Sequence, residues 1–285
     1  MKSGGLGERN FFQKVSLPQD VSFFSGLERD RVAWFRFARA LCANFVLYPA
    51  LVVLSLAAVG LFPCLYLCCK LFLGWPDALI ARLVIWLFGR GWITLVRVFF
   101  PVRIHNAAAH TLRRPCILVF NHLSAFDLFS MGILPVFDVA MAVKAWPFRM
   151  FWFAPFMRMA RYLDIERLAP EALLAQCREI IDAKGRLLFF PEGRRSRDGK
   201  LQRFHSGAFK LAIELGVGVV PICIAGADAL LPPGRFWLAP AAVRLDVLER
   251  IDPRRFSGEL AHIELRKHVK ASMAQHLSRM QETIL

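Results

Sequence analysis

The sequence predicts an α/β domain preceded by a pair of apolar helices, and two patterns carry that expectation. From Pro101 onward, short apolar runs alternate with stretches of helical periodicity, the signature of a sheet covered by helices. Before that point, Phe45 to Cys69 contains no charged residue. At a rise of 1.5 Å per residue, such a helix is long enough for a hydrocarbon core of about 30 Å. The chain divides accordingly into a polar N-terminal segment (1–40), membrane-embedded or interfacial helices (41–100) and the α/β domain (101–285).

The polar segment does not read as a signal peptide, because about forty mixed residues precede the first apolar run. Pro49 and Pro63 fall inside the charge-free stretch, and each removes a helical hydrogen bond, so a spanning helix and a re-entrant one both remain open. In the next helix, Leu79 to Phe100, Arg82, Arg90 and Arg97 share one stripe of roughly 80°, suited to lying among lipid head groups. Arg29, Arg31, Arg36 and Arg39 precede the apolar stretch, and Lys70, Arg82 and Arg90 follow it. Charge on both sides favours a pair that enters and returns on one membrane face; the alternative is a buried helical pair of a soluble protein.

Beyond Pro101, strands are expected at Cys116–Phe120, Val139–Val143, Arg186–Phe190, Val217–Ile224 and Val243–Leu248. Helices are expected at Glu171–Lys184 and Ser206–Leu215, each ending before a glycine, and at Ser257–Met280.

Composition narrows the partners. Thirty-seven Lys+Arg against 22 Asp+Glu give a formal charge of +15, which calls for a polyanion. With 56% hydrophobic residues and no recognisable nucleic-acid module, anionic membrane lipid fits and nucleic acid does not. The seven cysteines show no paired CxxC set and read as reduced, buried small hydrophobes rather than metal ligands. His105, His110, His205, His262, His268 and His276 lack ligand spacing and read as surface residues.

Two stretches carry chemistry. FNHLSAFD, Phe120 to Asp127, ends an apolar run with an imidazole and places a carboxylate five residues on. If the chain turns into a helix between them, Asp127 holds one ring nitrogen of His122 protonated and the other can accept a proton. Taken alone the spacing arises often by chance, and a structural histidine at a strand end is the bland alternative. The second stretch, FFPEGRRSRDGKLQRFHSGAF, runs from a strand into Pro-Glu-Gly and then Arg194, Arg195, Arg197, Lys200 and Arg203. Glycine allows close backbone approach and guanidinium forks suit a phosphate.

Together these stretches resemble the glycerolipid acyltransferases of the PlsC type, the lysophospholipid acyltransferase superfamily. Four blocks in order carry the resemblance: NHLSAFD, AVKAWPFRMFWFAPFMRMARYLDIER, FPEGRRS and VVPI, together about a third of the chain. It implies a mixed, mainly parallel sheet flanked by helices. It implies His122 as the base that deprotonates a glycerol hydroxyl for attack on an acyl thioester, with Asp127 orienting it. Substrate phosphate would fall to Glu192, Gly193, Arg194 and Arg195, with Lys144 and Arg167 from the second block; Glu192 would fix arginine geometry rather than meet an anion directly. The implied reaction uses acyl-CoA or acyl carrier protein as co-substrate and a lysophospholipid acceptor, best 1-acylglycerol 3-phosphate, with no bound cofactor and no metal. The lack of a targeting signal, rather than the resemblance, points to a bacterial cytoplasmic membrane, with the catalytic domain on the cytosolic side. A same-fold enzyme for another lysolipid and a non-catalytic basic membrane protein are the competing readings.

The sequence departs from the family pattern at Arg194, where a threonine is usual, at Ala154 and Arg161, where glycines are common, and at Phe151, where proline is usual. These changes bear on the acceptor more than on the base. Aromatics from Trp146 to Phe156 fit an acyl tunnel, a membrane contact or core equally.

Overall fold

The computed structural model describes residues 21–105 and 108–284. The chain divides into two compact units, 1–39 and 40–285. In the first, residues 1–20 of the expected polar segment lie outside the described residues, and from Val21 the backbone is helical. The second holds the rest of the fold.

Helix α1 (Val21–Leu73) runs through Pro49 and Pro63 without a break in helical backbone. Gly74, at φ +64°, and Pro76 then turn the chain into α2 (Asp77–Phe99). A left-handed residue just past a helix end is where glycine costs least. Both 40–73 and 77–99 are long and apolar enough to cross a bilayer. They differ in surroundings: most of 40–73 is exposed, whereas much of α2 is covered by protein.

That covering corrects the expected basic stripe. Arg90 and Arg97 are exposed, but Arg82 is buried. Its Nε donates to the Ala160 carbonyl at 2.9 Å and its guanidinium meets Asp138 at 2.7 Å. The first turns of α2 face the α/β domain, and a desolvated guanidinium is tolerated there because charge and hydrogen bonds are both supplied. Farther along, Gly132 packs so closely on α2 that a Cβ would collide with the backbone of Gly89 and Arg90. The apolar helices and the α/β domain therefore share one core across residue 101.

The sheet has seven strands: β1 (Val102–His105), β2 (Ile117–Phe120), β3 (Val139–Val143), β4 (Leu163–Asp164), β5 (Arg186–Phe189), β6 (Val219–Ala225) and β7 (Val243–Val247). Their order is β1-β7-β6-β2-β5-β3-β4, every neighbouring pair parallel except β6–β7. All five expected strands are present; the edge strands β1 and β4 were not expected. Central strands β2 and β6 are buried along their whole length, which is why they read as continuous apolar runs. Helices α3 (Ala154–Met159), α4 (Pro170–Asp182), α5 (Gly207–Leu215), α6 (Ala227–Leu230) and α7 (Ala261–Ile284) complete the fold, with a 3₁₀ segment, Ala125–Ile133, after β2. The cysteines divide: Cys69, Cys116, Cys177 and Cys223 are buried, while Cys42, Cys64 and Cys68 are exposed on α1. The last three were expected inside; they lie on a helix face that no protein covers. Burial pushes the Cys116 thiol up to about 11 and Cys177 to about 12, so both stay protonated at neutral pH.

Candidate active site

β2 and β5 are parallel neighbours, so the segments that leave their C-terminal ends emerge side by side. One carries His122 and Asp127, the other Pro191–Ser196. This edge is where open α/β sheets place their ligands.

Asp127 builds the turn it belongs to. Ser124 caps the 3₁₀ segment, its Oγ accepting from Phe126 N at 3.2 Å, while Asp127 Oδ2 accepts from Ser124 N at 2.8 Å and Leu123 N at 2.6 Å. That reciprocal cap folds the chain back so the same Oδ2 lies 2.9 Å from His122 Nδ1. An ionised carboxylate only accepts, so Nδ1 is the donor and Nε2 keeps its lone pair. Asp127 is wholly buried and its Oδ1 has no hydrogen-bond partner among the described residues. Phe190 lies against the imidazole, ring centroids 4.3 Å apart and planes tilted by 31°.

The Pro-Glu-Gly segment grips His122 by its backbone. Glu192 Oε1 accepts from His122 N at 2.7 Å, Oε2 accepts from Gln202 N at 2.8 Å, and Ser196 N donates to the His122 carbonyl at 2.7 Å. Glu192 was expected to steady an arginine; its two oxygens instead take backbone N–H groups. Burial raises the Glu192 pKa above the ordinary carboxylate value, against the two backbone hydrogen bonds, His122 opposing it as well. Gly193 has φ +66°, and a Cβ there would press on the His205 ring at 3.3 Å. Its conformation lets the backbone pass from Glu192, behind the histidine, to the arginines in front.

His122 lines a cavity of about 1450 Å³. Arg194, Arg195, Arg197, Lys144 and Gly193 form one part of its wall. Val59, Phe88, Phe129, Trp152, Phe156 and other apolar side chains also line it, as do Ser55, Asp198 and Gln202. Arg167 is not brought to this wall: it is exposed, 3.8 Å from Asp164 on the turn after β4.

Sequence reasoning missed Ser196, Gln202 and Phe190. Ser196 is buried, its Oγ donating to Asp198 Oδ1 at 2.8 Å with the Lys200 carbonyl at the same distance, and Gln202 Nε2 reaches the same Asp198 oxygen at 2.8 Å. The Asp198 carboxyl is held below its usual range, first by the Ser196 hydroxyl and then by Lys200 N–H. Asp-Gly in SRDGK was the available signal for this turn.

Chemically, an imidazole oriented by a buried carboxylate, on a cavity lined by both cationic and apolar side chains, has the geometry to accept a proton from a bound group. Residues 101–225 match the acyltransferase family model. Over those residues the chain resembles that class of enzyme, the acyltransferases of the PlsC type. It is 28% identical to a 1-acyl-sn-glycerol-3-phosphate acyltransferase of Limnanthes douglasii over 74% of each chain. It is 34% identical to the chloroplastic 1-acyl-sn-glycerol-3-phosphate acyltransferase BAT2 of Brassica napus over 42% of this chain and 36% of that protein. The crystal structure of the 1-acyl-sn-glycerophosphate acyltransferase PlsC from Thermotoga maritima shares the fold, with a TM-score of 0.60 and 24% identity over 82% of this chain and 98% of that one.

Proposed function

We propose that this acyltransferase moves a fatty acyl group from acyl-CoA or acyl carrier protein to the free hydroxyl of 1-acyl-sn-glycerol 3-phosphate, giving phosphatidic acid. The observation that carries the reading is the placement of His122, 2.9 Å from Asp127, on a cavity that joins four basic side chains to an aromatic and aliphatic wall. A lysophosphatidate has the same division, a phosphate at one end and an acyl chain at the other.

In this scheme His122 Nε2 removes the hydroxyl proton as the oxygen attacks the thioester carbon, and Asp127 stabilises the imidazolium that forms. The proton then passes to the departing thiolate, so atoms balance without an acyl-enzyme. A thioester is already activated, and alignment with a base supplies most of what the reaction needs. Arg194, Arg195 and Lys144 hold the phosphate; Glu192 and Ser196 hold His122 itself. Helices 40–73 and 77–99 seat the enzyme in a bilayer, on our reading the cytosolic leaflet of a bacterial inner membrane, where acceptor and product both reside.

Arg194 favours one further possibility within the same chemistry. It brings an additional cation to the cavity where the family usually has threonine, and a lysolipid bearing more negative charge than lysophosphatidate would use it.

The test is thiol release from palmitoyl-CoA by detergent-purified protein, with and without 1-acylglycerol 3-phosphate, beside His122→Ala. Release that needs both acceptor and His122 is expected. Acceptor-independent release, or full activity in His122→Ala, overturns the base; no release with folded protein moves the assay to other lysolipids and to acyl carrier protein.

A further inference from the structure

The segment between α6 and β7 belongs to none of the motifs above, yet it exposes two of the largest apolar side chains in the domain. Phe236 is 84% exposed and Trp237 55%. Water-exposed aromatics on a flexible tail would mean little, but this loop is tied at three points. Ala239 N donates to the Leu230 carbonyl at 2.7 Å and closes its base. Asn44 of α1, buried, makes a paired bond to Leu238: its Nδ2 donates to the Leu238 carbonyl at 2.8 Å and its Oδ1 accepts Leu238 N at 2.9 Å. Ser124, the cap of the catalytic turn, donates through Oγ to the Leu231 carbonyl at 2.7 Å.

Between these ties the chain makes a tight turn. Arg235 N donates to the Pro232 carbonyl at 3.0 Å, with Pro233 and then Gly234, at φ +81°, in the middle. Proline followed by a left-handed glycine is the residue pair a type II turn requires. The turn sends the two halves of the loop to different places. Pro233 and Gly234 line the catalytic cavity. Trp237 meets Tyr48 of α1 edge-on, ring centroids 6.3 Å apart.

Tyr48 belongs to a stripe. Leu41, Phe45, Tyr48 and Val52 recur at helical spacing on α1 and all are exposed, Phe45 to 74%. Trp237 thus extends the uncovered apolar face of α1 sideways onto the α/β domain, and Arg235 stands beside it, exposed. Aromatic rings with an adjoining cation, continuous with a helix of membrane character, fit the boundary between head groups and acyl chains; a second protein would need a more mixed polar surface.

We propose that loop 231–238 is a membrane-seated element, with Phe236 and Trp237 in the acyl boundary and Arg235 at lipid phosphates. It holds the Pro233–Gly234 rim of the cavity against the bilayer, so the lysolipid acceptor enters from the lipid phase. The inference rests on the acyl-transfer reading above and names where its lipid substrate is handed over.

The experiment pairs two acceptors with the variant Phe236→Ser/Trp237→Ser. One is 1-oleoylglycerol 3-phosphate in vesicles of phosphatidylcholine and phosphatidylglycerol; the other is a short-chain 1-acylglycerol 3-phosphate dispersed as monomers. Removing two interfacial aromatics should raise the apparent KM for the vesicle acceptor by roughly ten-fold or more, leaving the dispersed acceptor within two-fold. Equal losses with both acceptors would make the loop part of the site's own architecture and overturn the proposal, as would no loss with either. A readout without turnover separates this from failure of the acyl-transfer reading: quenching by brominated lipid in the same vesicles, wild type compared with Trp237→Phe. The Trp237 contribution should be quenched; if it stays unquenched, the loop is not in the bilayer, whatever the enzyme acylates.

Discussion

Among the described residues, two buried aspartates each hold a histidine within hydrogen-bond distance, and only one of these pairs has the surroundings of a base. His122 Nδ1 lies 2.9 Å from Asp127; His276 Nε2 lies 2.7 Å from Asp246. Both carboxylates are buried. Asp246, on β7, is also clamped by Arg244 through Nε at 2.9 Å and the terminal nitrogen at 2.8 Å, and it faces His105 at 3.6 Å, its register partner on β1. Its charge is already neutralised by a permanent cation, so little is left to stabilise an imidazolium. Asp127 has three hydrogen bonds and, among the described residues, no lysine or arginine partner. His122 lines the large cavity and His276 does not. An imidazole becomes a base through access to substrate and through a carboxylate whose charge is unspent; the distance between the two is the lesser part.

The sharpest break of this comparison is on the imidazoles themselves. His122→Ala should lower acyl transfer by roughly 10³-fold, the scale of general-base catalysis, with cooperative unfolding retained. His276→Ala should stay within two-fold in kcat. A large loss of kcat in folded His276→Ala would mean that the sheet-edge pair works in the reaction and that the contrast is wrong.

Next in size is the effect on stability, where the order reverses. Asp246→Ala strands the Arg244 guanidinium and should cost about 3 kcal/mol in urea unfolding, with kcat of the folded enzyme unchanged. Burial raises the Asp246 pKa, but Arg244 first and His276 after it outweigh that, so the net position is below the ordinary aspartate value. A carboxyl depressed in the folded state contributes stability that is present above its unfolded pKa and lost as pH falls through the folded one. The gap between wild type and Asp246→Asn should therefore narrow as pH drops below about 4. A gap that widens in acid would contradict the assigned charge state.

The difference between the pairs also marks what could be read from sequence. His122 and Asp127 are five residues apart, joined by a local turn, and their register on strand and cap is written in NHLSAFD. Asp246 and His276 come from a strand and a helix thirty residues apart, and His105 from a third element. That convergence exists only once β1 pairs with β7. The interior strands were legible because burial on both faces forces continuous apolar runs; β4, two residues long, and β1, with two exposed positions, present no such run. Arg82 was assigned to the wrong environment because periodicity gives a stripe's direction on its own helix and not the neighbour it faces. Arg161 stands where the family has glycine and keeps glycine's left-handed backbone at φ +55°, held by its bond to Glu179 at 2.6 Å and by Gln176 at 3.0 Å on its carbonyl. The sequence departs there, and the backbone does not.

The same distinction, between a group's type and its access to the cavity, applies to the cations. Arg195 and Arg167 were assigned one role from motif position, yet Arg195 lines the cavity and Arg167 lies by Asp164 on an exposed turn. If position decides, Arg195→Ala should raise the acceptor KM by roughly ten-fold or more with little change in donor KM, since a lost charge-assisted bond to phosphate costs about 1.5–3 kcal/mol. Arg167→Ala should change either KM by less than two-fold, because an exposed pair at that distance contributes little even to folding. Equal effects of the two substitutions would mean that the second-block arginine reaches the phosphate in the loaded enzyme, by a movement of the β4 turn toward the cavity. A donor-only effect of Arg195→Ala would instead move that guanidinium from the acceptor phosphate to the phosphates of the acyl carrier, and the acceptor would then depend on Lys144 and Arg194.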